Sequence, residues 1–122
     1  MGKFYKHFSF SCLVKMASES VRELSKNEFE SAIRGEVVLV DFFADWCMPC
    51  LMMAPVMDDL AEKFRGKIKF AKVNIEDHPE LAEKFNIVSI PNFVLFKKGK
   101  QEGQFIGSMT QEDFEKKLRD FI

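Results

Sequence analysis

Seven consecutive residues, Val37 to Phe43, read VVLVDFF, apolar throughout except for one acid. A strand this apolar has no side to turn towards water, so it reads as one buried on both faces. The segments around it supply the cover. Ser25-Lys26-Asn27-Glu28 is a capping box that opens a helix, with Phe29, Ala32 and Ile33 as its apolar stripe and Gly35 as its C-terminal cap. From Cys47 the pattern turns helical through Met52, Met53, Val56, Leu60 and Phe64, kinks at Pro55 and stops at Gly66. Ile68 to Ile75 alternates as a second strand, and Asp77-His78-Pro79-Glu80 opens a short helix whose buried side is Leu81, Ala82 and Phe85. Asn92 to Phe96 and Gln104 to Ile106 read as strands around the turn KKGK. Thr110 caps a last helix that faces the core through Phe114, Leu118 and Phe121. Strands separated by helices pair in parallel, and the late hairpin adds an antiparallel edge. The expected fold class is α/β, a mixed parallel and antiparallel sheet with helices on both faces.

Length and charge narrow the function. The chain has 122 residues, enough for one domain with a core of its own. A formal net charge of −1 argues against nucleic acid as a partner. No apolar run approaches the roughly 18 residues of a membrane span. Residues 1–21 differ from the rest and are expected to form a flexible arm before a domain at 22–122. The arm's basic start and short apolar stretch, Phe8 to Val14, give a weak signal-peptide pattern, broken by Ser9 and Ser11 and without a small-x-small cleavage site. A cytoplasmic protein is therefore expected, with export as the alternative; Met16 is a second candidate start.

Cys12, Cys47 and Cys50 are too few for a disulfide framework. Cys12, in the arm, reads as an unpaired thiol. Cys47-Met48-Pro49-Cys50 leaves three readings: a metal clip, a structural crosslink or a working redox pair. A metal needs two further ligands, and Cys12, His7 and His78 form no matching motif, so no metal is expected. A loop this short constrains little of the unfolded chain, which weakens the crosslink reading. A redox pair fits the position. At a helix N-terminus, free N–H groups and the helix dipole favour an anion, so Cys47 should be acidic and nucleophilic, and Cys50, one turn in and less exposed, should resolve a mixed disulfide. Pro49 stiffens the turn. Asp41, inside the apolar strand, should have its pKa raised by burial.

Five segments in order carry a wider resemblance: VDFFADWCMPC, Pro55, AKVNIEDHP, VSIPNFVLFKKGK and FIGSMTQEDF. Over residues 22–122 the chain resembles the thioredoxin family, in which Cys-x-x-Cys beside a βαβ pattern is the redox motif. The resemblance implies the thioredoxin fold and a protein dithiol–disulfide oxidoreductase that binds no cofactor and receives electrons from a thioredoxin reductase-type donor. It implies that Cys47 attacks and Cys50 resolves, and that Asp41 exchanges protons with Cys50. Lys72 would approach Asp41; taken alone it reads as an ordinary snorkelling surface lysine. Pro91 would follow a cis bond and present the backbone of Ile90 to an extended substrate. Trp46 would pack beside the cysteines, Met48 and Pro49 would lie between them, and Gly107 would leave room for the substrate's main chain. Protein disulfides are the implied substrates of a monomer.

The chain departs from the family at Met48, where glycine is usual, at Phe43 for tryptophan, at Leu51 for lysine and at Asn92 for threonine. The methionines of MMAPVM read as core, Met48 as exposed. Met48, Leu51 and Val88 are expected to form an apolar rim. An oxidase or isomerase of secreted proteins on the same fold is the alternative activity, and a non-catalytic binding module a third reading.

Overall fold

The computed structural model describes residues 20–122, so the expectations for Cys12 and His7 in the arm lie outside the described residues. Five strands form one sheet: β1 (Val21–Glu23), β2 (Val38–Phe43), β3 (Lys69–Asn74), β4 (Asn92–Lys97) and β5 (Lys100–Ile106). Four helices join them: α1 (Lys26–Ala32), α2 (Met48–Lys63), α3 (Pro79–Lys84) and α4 (Gln111–Arg119). The sheet order is β1-β3-β2-β4-β5, with β1, β3 and β2 parallel and β4 and β5 antiparallel. The apolar run is therefore the central strand, bonded to β3 on one side and β4 on the other.

Side chains alternate across β2 and sort the core into two halves. Leu39 packs with Phe70, Phe93 and Leu95 under Met53, Met57 and Leu60 of α2 and Phe114 and Leu118 of α4. Val38, Val40 and Phe42 pack on the other face with Phe29 and Ile33 from α1 and its cap, and Leu81 of α3. Asp41 shares the α2/α4 face with Leu39, two positions along the strand.

Local chemistry sets the ends. The backbone N–H of Ser25 donates to the Glu28 carboxylate at 2.9 Å, as the capping box requires. That bond, with the Arg22 guanidinium, holds Glu28 down at about 2. Thr110 Oγ1 accepts from the Asp113 N–H at 3.1 Å and caps α4. The β4–β5 turn is Lys98-Gly99, with φ of 52° and 85°. Two left-handed residues in a row make a tight hairpin that favours glycine at the second.

Four details differ from the sequence pattern. A strand, β1, precedes α1, so the boundary expected after residue 21 falls within it; buried Val21 pairs with Phe70. Gly35 is not the left-handed cap of α1, since Ile33 takes that position in a right-handed conformation. Gly35 instead uses its carbonyl to accept the Lys98 N–H at 2.9 Å, tying the helix exit to the hairpin. Strand β5 begins at Lys100 rather than Gln104. Met52 is 72% exposed, not core. Each helical residue turns about 100°, so Met53 and Met57 share the buried face and Met52 points away from it.

Candidate active site

Strand β2 ends at Phe43, and the chain reaches α2 through Ala44, Asp45 and Trp46. Cys47 is the N-cap of α2, with φ −86° and ψ 104°, and its Sγ accepts the Cys50 N–H at 3.2 Å. One otherwise unpaired N–H of the first helical turn is thus spent on sulfur. Pro49 lies in that first turn, where its missing N–H has no helical partner to lose. Cys47 and Cys50 are joined as a disulfide with Cα atoms 5.2 Å apart. Both cysteines are 4% exposed, whereas Cys50 alone was expected to be recessed. Joined to each other, they form a small buried cluster with Ala44, packed against Phe43, Ile75 and Ile90.

The peptide bond between Ile90 and Pro91 is cis. The Pro91 carbonyl accepts the Gly107 N–H at 2.9 Å, so the proline loop is pinned to the end of β5. Gly107 has φ +91°, and a Cβ there would meet nothing within 4 Å. Glycine is needed here for the backbone conformation, and the space above it stays open. Asn92, the next residue after Pro91, is buried, and its Oδ1 accepts from Gln104 Nε2 at 3.0 Å. In the sequence Asn92 stands out only as a departure from the family. Its cross-strand partner Gln104 carries no local signal, because the pair exists only through the β4–β5 register.

Asp41 is 5% exposed, and its Oδ1 has no hydrogen-bond partner in the protein. Burial pushes its pKa from 3.8 up to about 7, and the charge of Lys72 pulls only partly back. Asp41 and Lys72 are register partners on β2 and β3, which places them side by side on the α2/α4 face. The Lys72 ammonium also lies 5.5 Å from the centroid of the Phe43 ring. Lys72 is thus half-buried beside Asp41 and Phe43 rather than a free surface lysine. Asp58 on α2 joins the same field: burial raises its pKa, Lys72 opposes that, and Asp59 adds to it. An acid pair, Asp58-Asp59, beside buried Met57 is the only sequence signal for it.

Large apolar side chains around the cysteines in the chain are exposed. Trp46 is 65% exposed, Met48 65%, Leu51 49% and Val88 92%. Trp46, on the turn before α2, is largely open to solvent next to Cys47 in the chain. A cavity of about 730 Å³, lined by Arg22, Leu24, Arg34, Val38 and Phe70 among others, opens at the N-terminal end of β2, away from the disulfide. The disulfide itself is buried with Ala44, while large apolar side chains on either side of it in sequence, Trp46, Met48 and Leu51, are exposed. Among the described residues, no group of three or more His, Cys, Asp or Glu side chains is placed to hold a metal. No helix among them is long and apolar enough to cross a membrane.

The family model for thioredoxin matches residues 20–120. The chain is 44% identical over 100 residues to a thioredoxin of Alicyclobacillus acidocaldarius, covering 81% of this chain and 95% of that one. It is 35% identical over 122 residues to the chloroplastic M-type thioredoxin of Spinacia oleracea, covering 96% and 67% respectively. Among solved structures, the oxidised mitochondrial thioredoxin 3 of Saccharomyces cerevisiae superposes with a TM-score of 0.77 at 30% identity, over 85% of this chain and 98% of that one.

Proposed function

The chain belongs to the thioredoxin family and is a protein disulfide reductase, and on that premise we propose that Cys47 attacks, Cys50 resolves and Asp41 moves the proton between steps. One observation carries the reading: Cys47 caps α2 with the Cys50 N–H on its sulfur, at the end of a strand that carries a buried acid held near 7. Once the disulfide is opened, that N–H and the helix dipole favour a thiolate at Cys47. The thiolate attacks one sulfur of the substrate disulfide, whose S–S bond breaks, and the departing sulfur takes up a proton. Ionised Asp41 then accepts the Cys50 thiol proton. The Cys50 sulfur attacks Cys47 Sγ, the mixed disulfide breaks, and the second substrate thiol leaves protonated. Two electrons have passed to the substrate, and the Cys47–Cys50 bond is restored. Lys72 limits how far burial raises Asp41, which keeps the acid able to ionise near neutral pH.

For the substrate we assign Trp46, Met48, Leu51 and Val88 to docking, with Ile90, Pro91 and Gly107 meeting its main chain in the manner of an added strand. Support comes from continuity: these exposed apolar side chains flank the disulfide, and the space over Gly107 is open. Exposed large apolar groups grouped beside a reactive centre mark a contact surface. Electrons would return from a donor of the thioredoxin reductase type. A reducing compartment such as the cytoplasm suits that supply.

The decisive experiment is a trap. Cys50→Ser incubated with a disulfide-bonded protein such as insulin should accumulate a mixed disulfide through Cys47, and Cys47→Ser should accumulate none. Equal trapping by both variants overturns the assignment of attacking and resolving sulfurs.

A further inference from the structure

The helical rotation that buries Met53 and Met57 turns Met48, Leu51 and Met52 outward onto one face at the start of α2. Met48 and Met52 are 65% and 72% exposed, against 2% and 1% for Met53 and Met57. One helix therefore carries two open thioethers beside the redox disulfide and two sealed ones beneath it. We propose that Met48 and Met52 are modification sites, oxidised by peroxides to sulfoxides, and that this oxidation weakens docking of protein substrates beside Cys47 and Cys50. The second clause rests on the docking role given above to the apolar rim.

In the chemistry, the thioether sulfur attacks one peroxide oxygen, the O–O bond breaks, an S–O bond forms and water leaves. Sulfur gives up two electrons, and the peroxide takes both, so no other reactant is needed. With Cys47 and Cys50 joined, neither offers a thiolate to compete for the oxidant at this site. Each product replaces a flexible apolar side chain with a polar sulfoxide. The two sulfoxides would sit next to Leu51 and Trp46 on the surface a substrate must dry. Reduction of protein disulfides should slow, while a small disulfide that needs no docking should react as before. Thiol reagents that reopen the Cys47–Cys50 bond do not reverse a sulfoxide; methionine sulfoxide reductases do.

The test uses the full chain in its disulfide form. It is exposed to hydrogen peroxide, cleared with catalase, reduced with dithiothreitol and mapped by peptide mass spectrometry. Sulfoxide should appear at Met48 and Met52 well before Met53 and Met57. Comparable rates at all four overturn the modification claim. Insulin reduction should show a several-fold rise in KM with kcat little changed, and the rate with a small aromatic disulfide should hold. Sulfoxide reductases should restore KM. Peroxide should have little effect on KM in Met48→Leu/Met52→Leu, each protein being compared with its own untreated state; an equal rise there places the damage elsewhere and overturns the proposal. Met48→Gln/Met52→Gln, never oxidised, separates the two layers. If it leaves KM for insulin unaltered, the docking role fails. If it raises KM while the sulfoxides do not, docking stands and control by oxidation falls.

Discussion

The two faces of the sheet are built from the same strands and do different things. On the α1/α3 side, Phe29, Phe42, Phe85 and Phe96 form a cluster with ring centroids 5.4–6.4 Å apart, and Val38, Val40 and Val94 fill in around it. On the α2/α4 side, Leu39, Phe93 and Phe114 are equally buried, but Asp41 and Lys72 interrupt them towards the end of β2 that leads to the cysteines. One face spends its positions on packing. The other gives up stability at Asp41 to keep a proton-carrying group within the sheet. Central strand β2 serves both, sending alternate side chains to each.

The largest expected effect tests the packed face. Phe29→Ala, at a fully buried ring, should lose about 3–5 kcal/mol in denaturant unfolding while the kcat of the folded enzyme is retained. A loss below about 1 kcal/mol would mean that the aromatic cluster relaxes freely, and the contrast between the faces would weaken. The next effect runs in the opposite direction. Asp41 has a folded pKa of about 7 against 3.8 ordinarily, so the folded state holds the proton more tightly. Stability should fall as pH rises through that window and level off above it, at a cost of about 4 kcal/mol if burial acts in full. Asp41→Asn should therefore stabilise the protein by about 2–4 kcal/mol at pH 8, lose that advantage near pH 4, and slow turnover. Unfolding curves across pH that coincide for variant and parent would remove Asp41 as the cost on this face. The smallest effect concerns the cover alone. Thr110→Ala removes the cap of α4 and should cost about 1 kcal/mol without altering the pH dependence that Asp41 causes. A changed pH profile in this variant would show that α4 governs Asp41's burial.

What could be read in the sequence was whatever short-range chemistry decides. The apolar run of β2, the capping box at Ser25, the cap at Thr110, Pro55 within α2 and the Cys-x-x-Cys turn each announce themselves within a few residues. So did the burial of Asp41, since its neighbours on both sides are apolar. Features that depend on distant partners were hidden. β1 is three residues long and exists by pairing with β3. The first half of β5 is Lys100, Gln101, Glu102 and Gly103, which has no apolar alternation and is a strand only because β4 lies beside it. The Asn92–Gln104 bond and the field that Asp58 shares with Lys72 arise from register and helix placement, which no local pattern encodes. Met52 was legible in principle, since the rotation from Met53 settles it, but a run of methionines hid the phase.

The position of β2 also sets an order of events during synthesis. Its partner on one side, β3, follows after a single helix, but Val38 must wait for Phe96, far along the chain, to complete the other side. A nascent chain that has emerged only through β3 already carries both cysteines, yet lacks Phe93, Leu95, Phe114 and Leu118, nearly a third of the core half that covers Asp41. Pairings between segments so distant close slowly, and an open central strand is prone to wrong partners in the meantime. The acid cannot be dried, nor the Ile90–Pro91 loop brought opposite Cys47, until the C-terminal hairpin arrives. Thiol chemistry at this site therefore matures only after β4, β5 and α4 have been made.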